Sequence, residues 1–303
     1  MPLTIEEAIS RIPQWRETKD IRITALGGGI TNSNYRIDIG RESFVLRIPG
    51  ADTELLGINR DYEYAANLTA GKLGIAPEVY FYIQPEGSLV TRFINGKLIP
   101  LEEMKQPENI ERVVTTVQKI HSMSKIPGVF NPFQVVRDYT KIARRSGVAF
   151  PENYSWLVER LCEAEEALTS QPAIARPCHN DLLNANFLIA GKLYILDWEY
   201  SGMGDRFFDL ANFSDHHELS DELDDLLLRL YFDGDVSASK VAHLKIMKIM
   251  SDLREATWGL VQIGISKLDF DFREYADRFF DRVMQNIENP EWSEWLKEVR
   301  INA

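Results

Sequence analysis

The hydrophobic pattern of the chain changes its period near residue 95, and this change constrains the fold more than any other feature. Before that point, residues 21–26 and 35–39 alternate between apolar and polar side chains, as half-buried strands do. A third strand is predicted over 44–48, where Pro49 and Gly50 follow it. After that point the apolar residues recur mainly at helical spacing. The sequence therefore predicts an α+β protein, with a strand-rich first part and a mainly helical second part.

Further elements follow from the same patterns and from turn residues. A helix is predicted over 58–72 and closed by Gly74, and strands are predicted over 79–83 and 88–94. Asn95-Gly96 is a plausible hinge, so the predicted parts are residues 1–94 and 95–303. In the second part, helices are predicted over 108–122, 154–169, 221–232, 239–265 and 272–287, and one strand pair over 187–189 and 193–196.

Composition excludes several classes of protein. The 303 residues carry a net charge of −12, which disfavours nonspecific binding to nucleic acid because such binding needs a basic surface. Two cysteines cannot build a disulfide scaffold, and no apolar run reaches the roughly 18 residues that span a bilayer. Thr4 and Glu7 form a capping-box pattern in place of a signal sequence. These features predict a cytoplasmic protein that does not insert into membranes; the oligomeric state stays open.

Three polar residues at fixed spacing carry the clearest chemical signal. Asp181 and Asn186 lie five residues apart on a predicted loop that leads into a strand, and Asp197 ends the returning strand. The hairpin should bring Asp197 back near Asn186, and carboxylate and carboxamide oxygens are ligands suited to Mg²⁺. Asp181 then remains to accept a proton from a substrate hydroxyl. The alternative is a buried polar turn in which Asp181 and Asn186 bond to main-chain amides.

The motif resembles that of phosphotransferases, and the chain resembles the choline/ethanolamine kinase family. This family lies within the aminoglycoside-phosphotransferase-like superfamily, which shares the protein-kinase-like fold. The matching motifs are HNDL at 179–182, DWEYSGM at 197–203 and FDLAN at 208–212, and the resemblance extends from residue 26 to residue 275. It implies two lobes: a small antiparallel sheet with one helix, and a larger, mainly helical lobe.

The resemblance also implies roles for the motif residues. Asp181 would be the catalytic base, and Asn186 and Asp197 would hold the metal ion. Asp209 would brace the catalytic loop without taking part in the chemistry. The implied cofactors are ATP and Mg²⁺. His121 is interpreted as a packing or capping residue at the end of an apolar helix.

A glycine-rich turn between the first two strands is the expected phosphate-binding element. Its main-chain N–H groups could cover phosphate oxygens, although a glycine triplet alone is also typical of a plain hairpin turn. Asparagine and serine replace the later glycines of the protein-kinase loop, so hydroxyl groups would supplement the main chain. The predicted nucleotide-binding residues of this turn are Gly28, Gly29, Thr31, Asn32, Ser33 and Asn34.

Arg47 on the third strand stands where protein kinases place a lysine that contacts the nucleotide phosphates. Glu63 on the following helix is its expected partner, with Asp61 and Glu54 as competitors. An exposed surface ion pair of small energetic value is the alternative. The strand that ends in Phe93 and Ile94 is expected to border the adenine.

The acceptor site is predicted from aromatic residues near the end of the chain. A quaternary ammonium group needs aromatic faces and negative charge because it donates no hydrogen bond. Trp258 and Tyr275 match aromatic positions of the choline pocket in the family, and Glu199 and Tyr200 are further candidates. Eukaryotic members carry a second tryptophan where this chain has Glu255. Core packing on a long amphipathic helix is the alternative for Trp258.

The leading hypothesis is an ATP- and Mg²⁺-dependent kinase that phosphorylates the hydroxyl of choline, ethanolamine or a related cationic alcohol. An aminoglycoside or another small alcohol is the second candidate, because the acidic composition also suits a wide, acid-lined site. A non-catalytic nucleotide-binding protein of the same fold is the third. The complete set of Asp181, Asn186 and Asp197 argues against this third possibility.

Overall fold

The computed structural model describes residues 2–27, 31–170 and 174–301. The chain divides into two compact units, and each contains more than one segment. The first comprises Met1–Ile99, Ile126–Gly128 and Ala185–Ser201, and the second comprises Pro100–Lys125, Val129–Asn184 and Gly202–Ala303. The predicted boundary between residues 94 and 95 stays a prediction.

The first unit is built on a five-stranded antiparallel sheet in the order β1-β2-β3-β5-β4. A second, three-stranded sheet has the order β6-β8-β9, and β7 pairs with β10 in the second unit. The strands are β1 (Ile21–Leu26), β2 (Asn32–Ile39), β3 (Glu42–Pro49), β4 (Val79–Ile83), β5 (Ser88–Arg92), β6 (Lys97–Leu98), β7 (Arg176–Cys178), β8 (Phe187–Ile189), β9 (Leu193–Ile195) and β10 (Gly202–Gly204).

The helices are α1 (Ile5–Ser10), α2 (Arg60–Lys72), α3 (Leu101–Met104), α4 (Pro107–His121), α5 (Pro132–Arg145), α6 (Tyr154–Thr169), α7 (Arg206–His216), α8 (Asp221–Tyr231), α9 (Ala238–Ile265), α10 (Phe272–Ile287) and α11 (Trp292–Ile301). The predicted α+β fold and the predicted capping box that opens α1 are confirmed. No helix within the described ranges combines the length and the apolar character needed to cross a bilayer.

Two sequence-based boundaries in the first unit were wrong. The predicted glycine-rich turn extends to Asn34, whereas β2 already begins at Asn32 because residues 32–34 pair with the end of β3. The predicted last strand of the sheet extends to Ile94, whereas β5 ends at Arg92. Phe93 nevertheless donates its main-chain N–H to the carbonyl of Ser43 (2.9 Å), so the chain stays bonded to β3 one residue beyond β5.

Four helices of the second unit were not predicted: α3, α5, α7 and α11. The helices α3 and α11 are short, whereas α5 buries Phe133, Val136 and Thr140 at helical spacing, so its sequence carried a signal that was overlooked. Nine consecutive residues of α7, from Phe207 to Asp215, are buried on every side. A helix that is buried all round has no polar face to give it the amphipathic pattern.

The helix α9 organises the second unit. It is 28 residues long, and it contacts α5, α7, α10 and α11. Every residue from Ile249 to Gln262 is buried, including charged ones. Gly259 permits the close approach of α10, because a Cβ at that position would lie 3.1 Å from side-chain atoms of both Tyr275 and Ala276. This contact fixes the separation of α9 and α10 at the predicted acceptor residues.

Candidate active site

Arg47 joins two carboxylates of the first unit. Its guanidinium forms an ion pair with Glu63 on α2, and its Nη1 donates to Oδ1 of Asp197 at 2.7 Å. The predicted pairing with Glu63 is therefore confirmed. The competitor Asp61 instead accepts a hydrogen bond from the hydroxyl of Tyr82 at 2.8 Å.

Arg60 extends this ion-pair network toward the start of β2. Its Nη1 lies 2.8 Å from Glu63 Oε2 and 2.9 Å from Glu199 Oε2, and its Nη2 donates to Asn32 Oδ1 at 2.9 Å. The sequence analysis missed Arg60. The available signal was its position three residues before Glu63 in the first turn of α2, where charged side chains meet on one face.

Glu199 is buried and serves as an acceptor within the first unit. The hydroxyl of Thr31 donates to it at 2.9 Å, and the amide of Asn32 donates at 2.8 Å. Burial alone would raise the pKa of Glu199, but Arg60, Arg47 and these two hydrogen bonds lower it below its ordinary value. Glu199 therefore remains a carboxylate and ties the Thr31–Asn32 segment to the segment that follows β9.

The start of β2 is held close to the end of β3. The main-chain N–H of Gly50 donates to the carbonyl of Thr31 at 2.9 Å, and a Cβ at Gly50 would lie 2.5 Å from that oxygen. Asn34 lies opposite Arg47 in the sheet register, while Ser33 is exposed. The predicted phosphate-binding residues Gly28 and Gly29 lie outside the described residues.

The residues predicted to border the adenine follow β5. Phe93 and Ile94 are both half-buried. The guanidinium of Arg36 lies over the ring of Phe93, 4.3 Å from its centroid. A contact with adenine stays a prediction for both residues.

The β8–β9 hairpin brings Asn186 and Asp197 to the same end, as the sequence predicted. The N–H of Leu196 donates to the carbonyl of Asn186 at 2.8 Å, one residue before Asp197. The backbone of Asp197 is left-handed, with φ of 61°, a conformation that aspartate tolerates better than most residues. About one third of the Asp197 side chain is exposed. This pair of hard oxygen donors fits the ligand preference of Mg²⁺.

In the second unit, Asp209 holds the loop that carries Asp181. Its carboxylate accepts the main-chain N–H groups of His179 at 2.9 Å and Asn180 at 2.6 Å, and it lies 3.0 Å from Nε2 of His121. Burial alone would raise the pKa of Asp209, but the contact with His121 and the nearby His179 lower it. The predicted bracing of this loop by Asp209 is confirmed.

Asp181 is itself buried, and its contacts lead into α9. Oδ1 of Asp181 lies 3.0 Å from Nη1 of Arg254. Burial raises the pKa of Asp181, Arg254 opposes that rise, and the nearby Glu255 adds to it. The sequence analysis did not assign Arg254 a role. The available signal was its position four residues before Trp258, on the same face of a helix.

The predicted acceptor residues Trp258 and Tyr275 lie against each other. Their ring centroids are 5.6 Å apart at an interplanar angle of 63°, and the ring centroid of Phe272 lies 5.9 Å from that of Trp258. The hydroxyl of Tyr275 donates to Oε2 of Glu255 at 2.6 Å. Asp181, Trp258 and Tyr275 therefore belong to one connected cluster, whereas Tyr200, half-buried, lies with Glu199 in the first unit.

Glu255 should make the stability of the protein depend on pH. Burial alone would raise the pKa of Glu255, but Arg254, His216 and Tyr275 lower it to about 2. A carboxylate with a depressed pKa contributes stability above its unfolded pKa and loses it as the pH falls toward the folded value. This pH-dependent part, which compares ionised with protonated Glu255 and not the ion pair with apolar residues, is on the order of 3 kcal/mol at neutral pH.

This expectation is checked by urea unfolding of the unmodified protein and of Glu255→Gln across acidic pH. The difference in free energy of unfolding should shrink as the pH falls below about 5, because the carboxyl of unfolded chains begins to bind protons there. A difference that stays constant down to the acid limit of the folded protein would show that Glu255 has no depressed pKa.

Comparison with known proteins agrees with this arrangement. A family model described as choline/ethanolamine kinase matches residues 23–225. Protein LicA of Haemophilus influenzae is 29% identical over 270 residues, which cover 86% of this chain and 78% of LicA. A probable ethanolamine kinase of Arabidopsis thaliana is 25% identical over 315 residues, which cover 91% of this chain and 82% of the relative.

A solved structure is similar over nearly the whole chain. It is that of a choline/ethanolamine kinase family protein from Mesorhizobium loti, with a TM-score of 0.82, 33% sequence identity and 97% coverage of both chains. This likeness confirms the predicted fold and the predicted family. The chain therefore belongs to the choline/ethanolamine kinase family and is a phosphotransferase.

Proposed function

We propose that the protein transfers the γ-phosphoryl group of Mg·ATP to the hydroxyl of choline or ethanolamine. The observation that carries this proposal is the connected cluster of Asp181, Trp258 and Tyr275. It combines a buried carboxylate on a braced loop with two aromatic rings. A hydroxyl acceptor that carries a positive nitrogen requires both features.

Asp181 is the proposed base. It accepts the proton of the acceptor hydroxyl as the oxygen attacks the γ-phosphorus, and the bond from that phosphorus to the β–γ bridging oxygen breaks, so that ADP leaves. The N–H groups bonded to Asp209 keep the loop of Asp181 in place before substrate arrives. Such placement contributes to rate because the acceptor and the base need not be ordered during the reaction.

The first unit carries the proposed nucleotide residues. Arg47 would contact the phosphates, main-chain N–H groups of the segment before β2 would cover them, and Phe93 and Ile94 would border the adenine. Asn186 and Asp197 would hold Mg²⁺. When bound, the ion neutralises negative charge on the phosphoryl group that is transferred. Arg47 would supply local positive charge for the anionic nucleotide in a protein whose net charge is −12.

The proposed acceptor residues favour a small cationic alcohol. Trp258 and Tyr275 offer aromatic faces, and Glu255 and Asp181 supply negative charge in the same cluster. The positive charge of Arg254 balances one of these two carboxylates. Glu255, Asp181 and Arg254 together then carry one net negative charge when both carboxyls are ionised. Glu199 and Tyr200 remain proposed acceptor residues.

A panel of acceptors tests this function. ADP release with Mg·ATP should be stimulated by choline or ethanolamine, and much less by thiamine or by an aminoglycoside such as kanamycin. The ratio of kcat/KM for choline to that for ethanolamine then identifies the preferred amino alcohol. Stimulation by the aminoglycoside alone would replace this proposal with the second candidate, and no turnover with any acceptor would exclude it.

The proposed metal site is tested by Asp197→Asn. The substitution keeps the side-chain shape but removes a negative charge from the pair with Asn186. We expect kcat to fall on the order of 100-fold and the Mg²⁺ concentration for half-maximal rate to rise, because metal binding and charge neutralisation both depend on that carboxylate. Asp61→Asn, at an exposed site of the same unit, is the matched control and should change neither quantity. Unchanged Mg²⁺ dependence in Asp197→Asn would remove Asp197 from the metal site.

A further inference from the structure

Four polar side chains of the second unit are joined in one continuous series of hydrogen bonds. The hydroxyl of Tyr275 donates to Oε2 of Glu255 at 2.6 Å, and Oε1 of Glu255 accepts from Nη1 of Arg254 at 2.5 Å. The same Nη1 lies 3.0 Å from Oδ1 of Asp181. This series of hydrogen-bonded side chains therefore begins on α10, passes through two neighbouring residues of α9 and ends on the loop braced by Asp209.

The charged side chains of this series are buried. Arg254 is 2% exposed, Glu255 is 4% exposed and Asp181 is 7% exposed. Removing charged groups from water is costly, and a buried ion pair is often no more stabilising than apolar residues of the same volume. Stability alone therefore does not account for an arginine and a glutamate in the middle of α9.

We propose that Arg254 is a positioning residue that orients the carboxylate of Asp181, and that Glu255 and the Tyr275 hydroxyl hold Arg254 in place. This inference rests on the proposed function, in which Asp181 accepts the proton of the acceptor. Arg254 occupies Oδ1 of Asp181 and thereby limits the rotation of the carboxylate. Tyr275 then has two separable roles: its ring contacts Trp258, and its hydroxyl holds Glu255, which holds Arg254.

The charges that face Asp181 come from its own loop and from both helices. His179 precedes it on the loop, Arg254 and Glu255 face it from α9, and Tyr275 faces it from α10. Loss of Arg254 would leave burial and Glu255, which favour the protonated form of Asp181, opposed by the smaller influence of His179. A residue that only packed between helices would have no such effect on the base.

Tyr275→Phe is the mildest test because it keeps the ring and removes only the hydroxyl. We expect kcat to fall about tenfold while the acceptor KM changes less than about twofold, since the ring is retained and the base is less well held. Tyr82→Phe, which removes a hydroxyl bonded to Asp61 in the first unit, is the matched control and should keep both constants. Full kcat in Tyr275→Phe would contradict the anchoring of Arg254 by Tyr275.

Arg254→Gln tests the contact with the base directly. The titration of Asp181, followed by ¹³C NMR of its carboxyl carbon and assigned by its absence in Asp181→Asn, should move upward by at least about one pH unit. Arg254→Lys should restore part of this shift because it keeps the charge but not the planar geometry. The double variant Arg254→Gln/Glu255→Gln removes two opposing influences on the pKa of Asp181, so it is assayed by kcat, which should fall, and it serves if the single variant does not fold.

The outcomes separate the inference from the proposed function. An unchanged Asp181 titration in the Arg254 variants would overturn the inference, whatever the rate of turnover. If Arg254→Gln shifts the Asp181 titration but the unmodified protein phosphorylates no acceptor, the contact is supported and the proposed function is rejected. A shifted titration together with a lowered kcat in Tyr275→Phe is the result expected from both.

Discussion

Asp181→Asn is expected to lower kcat by about 10³-fold, since general-base catalysis contributes factors of about 10²–10⁴ and the amide cannot accept the proton of the acceptor hydroxyl. The affinity for Mg·ATP should stay within about twofold, because the proposed nucleotide residues belong to the first unit. The large effect on chemistry and the small effect on nucleotide binding together define the role of a base.

The measurement combines steady-state turnover with calorimetry of Mg·ATP binding. Asp224→Asn is the matched control: Asp224 is also a buried aspartate of the second unit, but it pairs with Lys245 and Lys248. This variant should alter stability and leave the turnover of the folded protein unchanged. Turnover that survives in Asp181→Asn would show that another group accepts the proton.

Arg47→Met is expected to have the second largest effect, and it should act on both stability and nucleotide binding. The substitution leaves Glu63, whose side chain is 2% exposed, without one of its two arginine partners. Breaking a buried pair from one side costs about 3–5 kcal/mol, so the free energy of unfolding should fall by that order. The loss of a phosphate contact should also raise the KM for ATP by about tenfold or more.

Denaturant unfolding and ATP titration check this expectation. Arg22→Met provides the control because Arg22 pairs with Asp38 on the exposed side of the same sheet, where ion pairs contribute only about 0–1 kcal/mol. Arg47→Lys should retain the charge, so its free energy of unfolding and its KM for ATP should lie between those of Arg47→Met and of the unmodified protein. An Arg47→Met variant with unchanged stability and unchanged KM for ATP would contradict the proposed role of Arg47.

The sequence predicted the parts of the protein that local patterns determine. The sequence patterns located β1, β4, α6 and α10 with their observed bounds, and they located β3 two residues short at its start and one residue short at its end. Spacing within a short motif was equally informative, because a tight hairpin necessarily returns Asp197 toward Asn186. The resemblance selected Glu63 as the partner of Arg47, since protein kinases pair the residue at that strand position with a glutamate on a helix.

Features that depend on tertiary contact were not predictable in this way. Arg60 reaches Glu199 across 139 positions of sequence, and Arg254 reaches Asp181 across 73 positions. A charged residue in a helix usually faces solvent, so the pattern alone gives no reason to place Arg254 in the interior. Glu255 was recognised only as a departure from the family pattern. Its hydrogen bonds explain why a carboxylate is tolerated at that position.

The central claim is tested most directly by ³¹P NMR of the reaction products. Unmodified protein is incubated with Mg·ATP and either choline or ethanolamine, with the Asp181→Asn variant in parallel. The account predicts a new phosphomonoester signal that grows in step with ADP for at least one of the two alcohols, and no such signal within the same time for the variant. ATP loss that yields only inorganic phosphate, or a phosphomonoester formed equally fast by Asp181→Asn, would contradict it.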